Sequence, residues 1–176
     1  MRTDYIKTEE LLHVLAALTP ENRLACEISL ATGLRIGDVL SLKTEKLLKT
    51  KNNRISVTEE KTGKVHTVYI PVELYYRACH AAGKYFVFQH RYDAKRHRTR
   101  QAVFKDIKRA ARAFRLRLNI APHTCRKAWA VAEYHRTGSI ERVQKLMNHS
   151  DEAVTMIYAL ADQLTNRRIK GLKKSV

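Results

Sequence analysis

Apolar and polar positions divide this chain into three stretches of different rhythm. In the first, apolar residues recur at helical spacing. Thr8 is a residue type that caps helices, and it opens a helix running through roughly Ala17. Thr19 followed by Pro20 starts a second, because proline fits the first helical turn. Its apolar positions are Leu24, Ala25, Ile28 and Leu30, and Gly33 is placed to end it in a left-handed turn. A short helix follows from about Ile36 to Leu42.

From about Lys46 to Pro71 the rhythm changes to alternation, as in Arg54-Ile55-Ser56-Val57 and Val65-His66-Thr67-Val68-Tyr69-Ile70. Asn52-Asn53 and Thr62-Gly63 supply turns, so this stretch predicts a small antiparallel sheet of roughly three strands. From Val72 onward helical spacing returns, broken near Gly83, Ala121-Pro122, Gly138 and Asn148. No Gly/Ser-rich linker, internal repeat or low-complexity tract interrupts the chain. The expectation is an α+β fold: one mainly helical domain with a small sheet near its middle.

Composition narrows the function. The 176 residues suffice for one core, and 44% of them are hydrophobic, so the chain can pack rather than remain disordered. Lys and Arg number 34 against 17 acidic residues, a formal net charge of +17. Such an excess repels itself in a compact fold unless a polyanion is the partner. Nucleic acid fits first and an anionic membrane surface second. No apolar run approaches the roughly 20 residues that span a bilayer, and MRTDYIKTEE has no signal-peptide core. Cys26, Cys79 and Cys125 are widely spaced, with no zinc pattern, and read as reduced, mostly buried thiols of a cytoplasmic protein.

The charge is concentrated. Between Lys84 and Arg117 basic residues crowd together, and only Asp93 and Asp106 oppose them. A solvated helix face usually mixes signs to gain i,i+4 pairs. This stretch does not, which suits a face that meets phosphates. Arg98, Arg100, Lys105, Lys108, Arg109 and Arg112 are its candidates for DNA contact.

Several polar residues sit where local sequence suits them to chemistry. Arg35 lies between Gly33 and Gly37 where one helix stops and the next begins, a rigid frame for a guanidinium that can hold phosphate or pair with Asp38. Lys61 stands at the tip of the expected hairpin, where an ammonium can enter a groove or simply be solvated. His123 and Arg126 share one helix face at i,i+3 spacing, one suited to moving protons and the other to holding anionic oxygens. His149 follows Asn148 at a turn, and Tyr158 follows on an apolar segment. A phenol with a pKa of about 10 needs help to act as a nucleophile.

In order, ATGLRIGDVLSL, EEKTGKVHTVYIP, HTCRKAWA and LMNHSDEAVTMIYA resemble the first-arginine motif, lysine hairpin, His-x-x-Arg motif and final His-to-Tyr segment of the tyrosine recombinases, the phage-integrase family. The resemblance runs over roughly residues 5 to 165 and implies that family's catalytic domain across 1–176. It departs at Lys127, where the family often has histidine, and at Asn148, where it often has glycine. Its N-terminal helical, core-binding domain is not among these residues, as in a truncated catalytic domain or a naturally short member such as the fimbrial switch recombinases.

The resemblance implies a mechanism. Tyr158 attacks the scissile phosphate to leave a 3′-phosphotyrosine and a free 5′-hydroxyl. Arg35 and Arg126 hold the non-bridging oxygens, and Lys61 protonates the departing oxygen. His123 assists proton transfer, His149 hydrogen-bonds the phosphate, and Asp38 orients a catalytic group. No metal or other cofactor is implied. The implied partner is double-stranded DNA at a specific site, bound by a homotetramer of a chain that can be monomeric when free, with no membrane. The basic segment 161–176 is either a tail helix docking on a neighbour or a frayed end. Two other readings keep the fold: a non-catalytic DNA-binding protein, and a type IB topoisomerase that relaxes DNA.

Overall fold

Helix α2 (Pro20–Thr32) is the axis around which five other helices pack. It begins with Pro20 at its first position and ends at Gly33, whose φ of +73° is a left-handed conformation open to glycine. Leu24, Ala25, Cys26 and Ile28 on α2 are buried, as are Cys125 and Ala128 on the helix that crosses it. The computed structural model describes residues 4, 6–60 and 63–147; Lys61, His149, Tyr158 and the tail 161–176 lie outside the described residues.

Helix α1 (Thr8–Ala16) precedes α2. Thr8 is its first helical residue rather than its cap; Lys7 holds the cap position, without a side-chain hydrogen bond. After α2 come α3 (Ile36–Leu40) and α4 (Thr44–Leu48), then strands β1 (Arg54–Thr58) and β2 (Val65–Tyr69), paired antiparallel with Ser56 opposite Thr67. Helices α5 (Val72–Ala81), α6 (Arg100–Ala113), α7 (Pro122–Thr137) and α8 (Ile140–Met147) complete the described chain. The mainly helical fold with a small antiparallel sheet is the one expected.

The strand count differs from expectation. Among the described residues the sheet has two strands, and the start of the alternating stretch is helix α4 instead. The adjacent Leu47-Leu48 pair sets no period by itself. Leu47 is buried, Leu48 is exposed, and Glu45 pairs with Lys49 one turn on at 2.6 Å, which suits a helix. Asn52 and Asn53 both take φ near +55° and turn the chain into β1.

All three cysteines are free, with Cys26 and Cys125 buried and Cys79 half-buried. A hydrogen bond with Cys125, together with burial, pushes the Cys26 thiol well above its ordinary pKa. No described helix is long and apolar enough to cross a membrane.

Helix α6 is amphipathic in an unusual way. Val103, Ile107, Ala110 and Ala111 face the core, and so does Asp106. Asp106 Oδ2 accepts hydrogen bonds from the backbone N–H and hydroxyl of Thr19 and from Asn22 Nδ2. Burial alone would raise its pKa, but these bonds and those from Arg109 outweigh burial and hold it below the usual carboxylate range. Because the only acid of α6 turns inward, the helix shows solvent a stripe without negative charge.

Gly33 gives the first stability prediction. A Cβ there would lie 2.5 Å from Trp129 Cε3 on α7. Gly33→Ala is expected to cost about 1–2 kcal/mol for the left-handed backbone and a further 1–3 kcal/mol or so for overpacking. A lowered urea midpoint with unchanged slope would register it.

Candidate active site

The junction between α2 and α3 forms one wall of a cleft of about 450 Å³. Arg35, Ile36, Gly37 and Asp38 line that wall, Glu60 and Arg100 stand at its side, and Pro122, His123 and Arg126 come from the first turns of α7. The cleft is tight at its floor: a Cβ on Gly37 would sit 3.3 Å from Glu60 Oε2 and 3.4 Å from Arg100 Cδ. Residues far apart in sequence meet here because α2 packs against α7 and α3 against α6.

Arg35 is the cap residue of α3 in an extended conformation, so its side chain leaves the helix at its N-terminal end. Nη1 lies 2.8 Å from Glu59 Oε2, and Glu59 is 1% exposed. This contact is an ion pair and not a directed hydrogen bond. Both terminal nitrogens of Arg35 are buried and lack a hydrogen-bond acceptor among the described residues. A guanidinium held this way has donors ready for an anion.

The pairing of Arg35 with Asp38 that the sequence left open is not the one formed. Asp38, 2% exposed, accepts the Glu60 backbone N–H at 3.0 Å through Oδ1. Burial raises its pKa, and the carboxylates of Glu59 and Glu60 push the same way; the Glu60 N–H and the Arg35 charge offset part of this. Asp38 therefore ties α3 to the end of β1.

Arg126 is 2% exposed, and its two terminal nitrogens donate to Gly33 O at 2.5 Å and Met147 O at 2.7 Å. It fastens α7 to the end of α2 and to the end of α8. His123 lies on the same side of α7 at the cleft. Thr124 steadies this helix start, since its hydroxyl oxygen accepts the Ala121 N–H at 3.2 Å.

Arg35, Asp38, His123 and Arg126 line one cleft, while Lys61, His149 and Tyr158 lie outside the described residues. The basic stretch divides. Arg98 Nε donates to Asn22 Oδ1, Lys108 Nζ to Asn119 Oδ1, and Arg109 bridges Asp106 and the Ala17 carbonyl. Arg100, Lys105 and Arg112 are exposed and have no partner among the described residues. Among the described residues no group of three His, Cys, Asp or Glu side chains is arranged to hold a metal.

Sequence reasoning missed Glu59. The signal was present: Ile55, Val57 and Glu59 follow in steps of two, and all three are buried. A glutamate on the inward phase of a strand announces a buried partner of opposite charge.

The model of the phage integrase family matches residues 3–164. The integrase of Escherichia phage P2 is 29% identical over 157 residues, covering 89% of this chain and 43% of that protein. A lambda integrase dimer bound to a COC' core site superposes with a TM-score of 0.72 at 21% identity, over 89% of this chain and 48% of that one. The catalytic domain of bacteriophage HP1 integrase gives 0.62 at 20% identity, over 90% of this chain and 88% of that domain. The chain spans roughly half the length of the curated relatives it matches.

Proposed function

Because the chain belongs to the phage integrase family, we propose that it cuts and rejoins DNA at a specific site through a covalent tyrosine intermediate. In this reading Tyr158 is the nucleophile. Its oxygen bonds to the scissile phosphorus, the bond to the 5′ oxygen breaks, and that oxygen leaves protonated by Lys61. The bond energy stays in the 3′-phosphotyrosine, so rejoining needs no nucleotide. A 5′-hydroxyl from a partner duplex then reverses the step, and the outcome is integration, excision or inversion.

The observation that carries the reading is the Arg35 guanidinium in the cleft, with buried, unsatisfied N–H donors facing the same space as His123 and Arg126. Two guanidinium groups supply positive charge where transition-state charge gathers. His123 is suited to shuttle the tyrosine proton, and His149 to hydrogen-bond the phosphate. Arg100 at the cleft, with Lys105 and Arg112 exposed farther along α6, supplies cations for a duplex backbone. Exchanging both strands of two duplexes needs one tyrosine per cut strand, which makes a tetramer the working assembly. The tail 161–176 would then dock on a neighbour, and the site of action would be the cytoplasm, where the DNA is.

The test is covalent capture. A library of randomised duplexes, each carrying one nick, is incubated with the 176-residue chain in EDTA and resolved under denaturing conditions. The expected result is a protein–DNA adduct whose DNA-bearing peptide contains Tyr158. Tight binding with no adduct would support a non-catalytic DNA-binding protein, and relaxation of supercoiled plasmid irrespective of sequence would support a topoisomerase.

A further inference from the structure

Glu59 joins two parts of the cleft that the proposed chemistry needs in register. Its backbone closes the hairpin loop: the Glu59 N–H donates to Lys64 O at 3.0 Å, and the Gly63 N–H donates to Glu59 O at 2.9 Å. Lys61 lies within that loop. The Glu59 side chain turns inward and meets Arg35 at 2.8 Å. One residue therefore grips both the base of the hairpin turn and the Arg35 guanidinium. The next residue repeats the tie, its N–H bonding Asp38 at 3.0 Å.

A carboxylate this buried is costly to keep charged without a partner, and Arg35 is an oppositely charged group beside it. The pair has a peculiar geometry. Glu59 attracts Arg35 without accepting a directed hydrogen bond from either terminal nitrogen. It can therefore fix where the guanidinium points while leaving donors for another acceptor. A solvated glutamate would do neither.

We propose that Glu59 is a positioning residue for strand cleavage, aligning the Arg35 guanidinium. The inference rests on the proposed function, since it assigns Glu59 a part in that chemistry. Glu59 does not meet the phosphate; it acts through Arg35. Glutamine keeps the shape but loses the charge that attracts Arg35, whereas alanine loses both.

The experiment compares Glu59→Ala, Glu59→Gln, Glu59→Asp and the unaltered chain on the nicked duplex recovered from the library. With a misaligned catalytic group, Glu59→Ala should cleave saturating duplex on the order of 10²-fold more slowly. Duplex affinity should stay within about threefold, because it rests on other phosphate contacts. Glu59→Gln, which keeps the shape without the charge, should fall between Glu59→Ala and the unaltered chain in rate, and Glu59→Asp, which keeps the charge, should lie nearer the unaltered rate. An alanine variant that melts earlier yet cleaves at the unaltered rate overturns the inference and leaves the proposed function standing. Should the unaltered chain form no adduct, the proposed function fails, and side-chain ¹⁵N spectra of the arginines still decide the inference. The Arg35 signal should be dispersed in the unaltered chain and should collapse toward exposed arginines in Glu59→Ala. An Arg35 signal that does not move refutes the positioning role.

Discussion

Tyr158→Phe is expected to abolish the covalent adduct while leaving duplex affinity within about threefold, since binding rests on phosphate contacts elsewhere. The substitution removes one oxygen and keeps the ring. What goes is the only atom able to bond phosphorus in this scheme. Losses on removing a nucleophile reach roughly 10⁶-fold in other enzymes, so no adduct should be visible on a denaturing gel. Binding should persist with the same salt dependence, because the cationic stripe of α6 is untouched and counterion release sets that slope. Gel-shift titrations at two salt concentrations, run beside the denaturing gel, check both halves. An undiminished adduct in the variant would move the nucleophile to another side chain and sink the assignment.

The site was legible in the sequence to the extent that its parts are local. Gly33 as a helix end, and Arg35 at the junction after it, follow from backbone conformations that glycine alone adopts easily. His123 and Arg126 follow from the helical period and the proline before them. Alternation of apolar residues disclosed the hairpin, whereas Glu59 sits on the same inward phase as a charged residue and so breaks the apolar pattern. Helix α4 was missed for the opposite reason: its short sequence has no decisive period, and packing of Leu47 settled its form. The cationic character of α6 was plain, but its division was not. Arg98 finds Asn22 and Arg109 finds the Ala17 carbonyl, partners distant in sequence that tertiary packing alone brings near.

Arg126 should behave differently from a simple phosphate clamp, and its substitutions should show it. Its nitrogens hold the carbonyls of Gly33 and Met147, one two residues before Arg35 and the other two residues before His149. Both bonds are buried, and an unmade buried hydrogen bond costs about 1–3 kcal/mol. Arg126→Ala should therefore lower stability as well as cleavage. Loss of the transition-state contact alone is worth roughly 10²–10³-fold in rate, and release of the chain at Met147 adds to it. Arg126→Lys separates the two effects. Lysine returns the charge, but its single ammonium lacks the planar fork that spans two carbonyls. The lysine variant should remain well below the unaltered chain in both urea midpoint and single-turnover cleavage. Near-normal cleavage by Arg126→Lys would reduce the residue to a point charge and remove its bridging role. If the bridge holds, the arginine that steadies the phosphate also fixes where the chain departs toward Tyr158, so one side chain sets both the electrophile and the approach of its nucleophile.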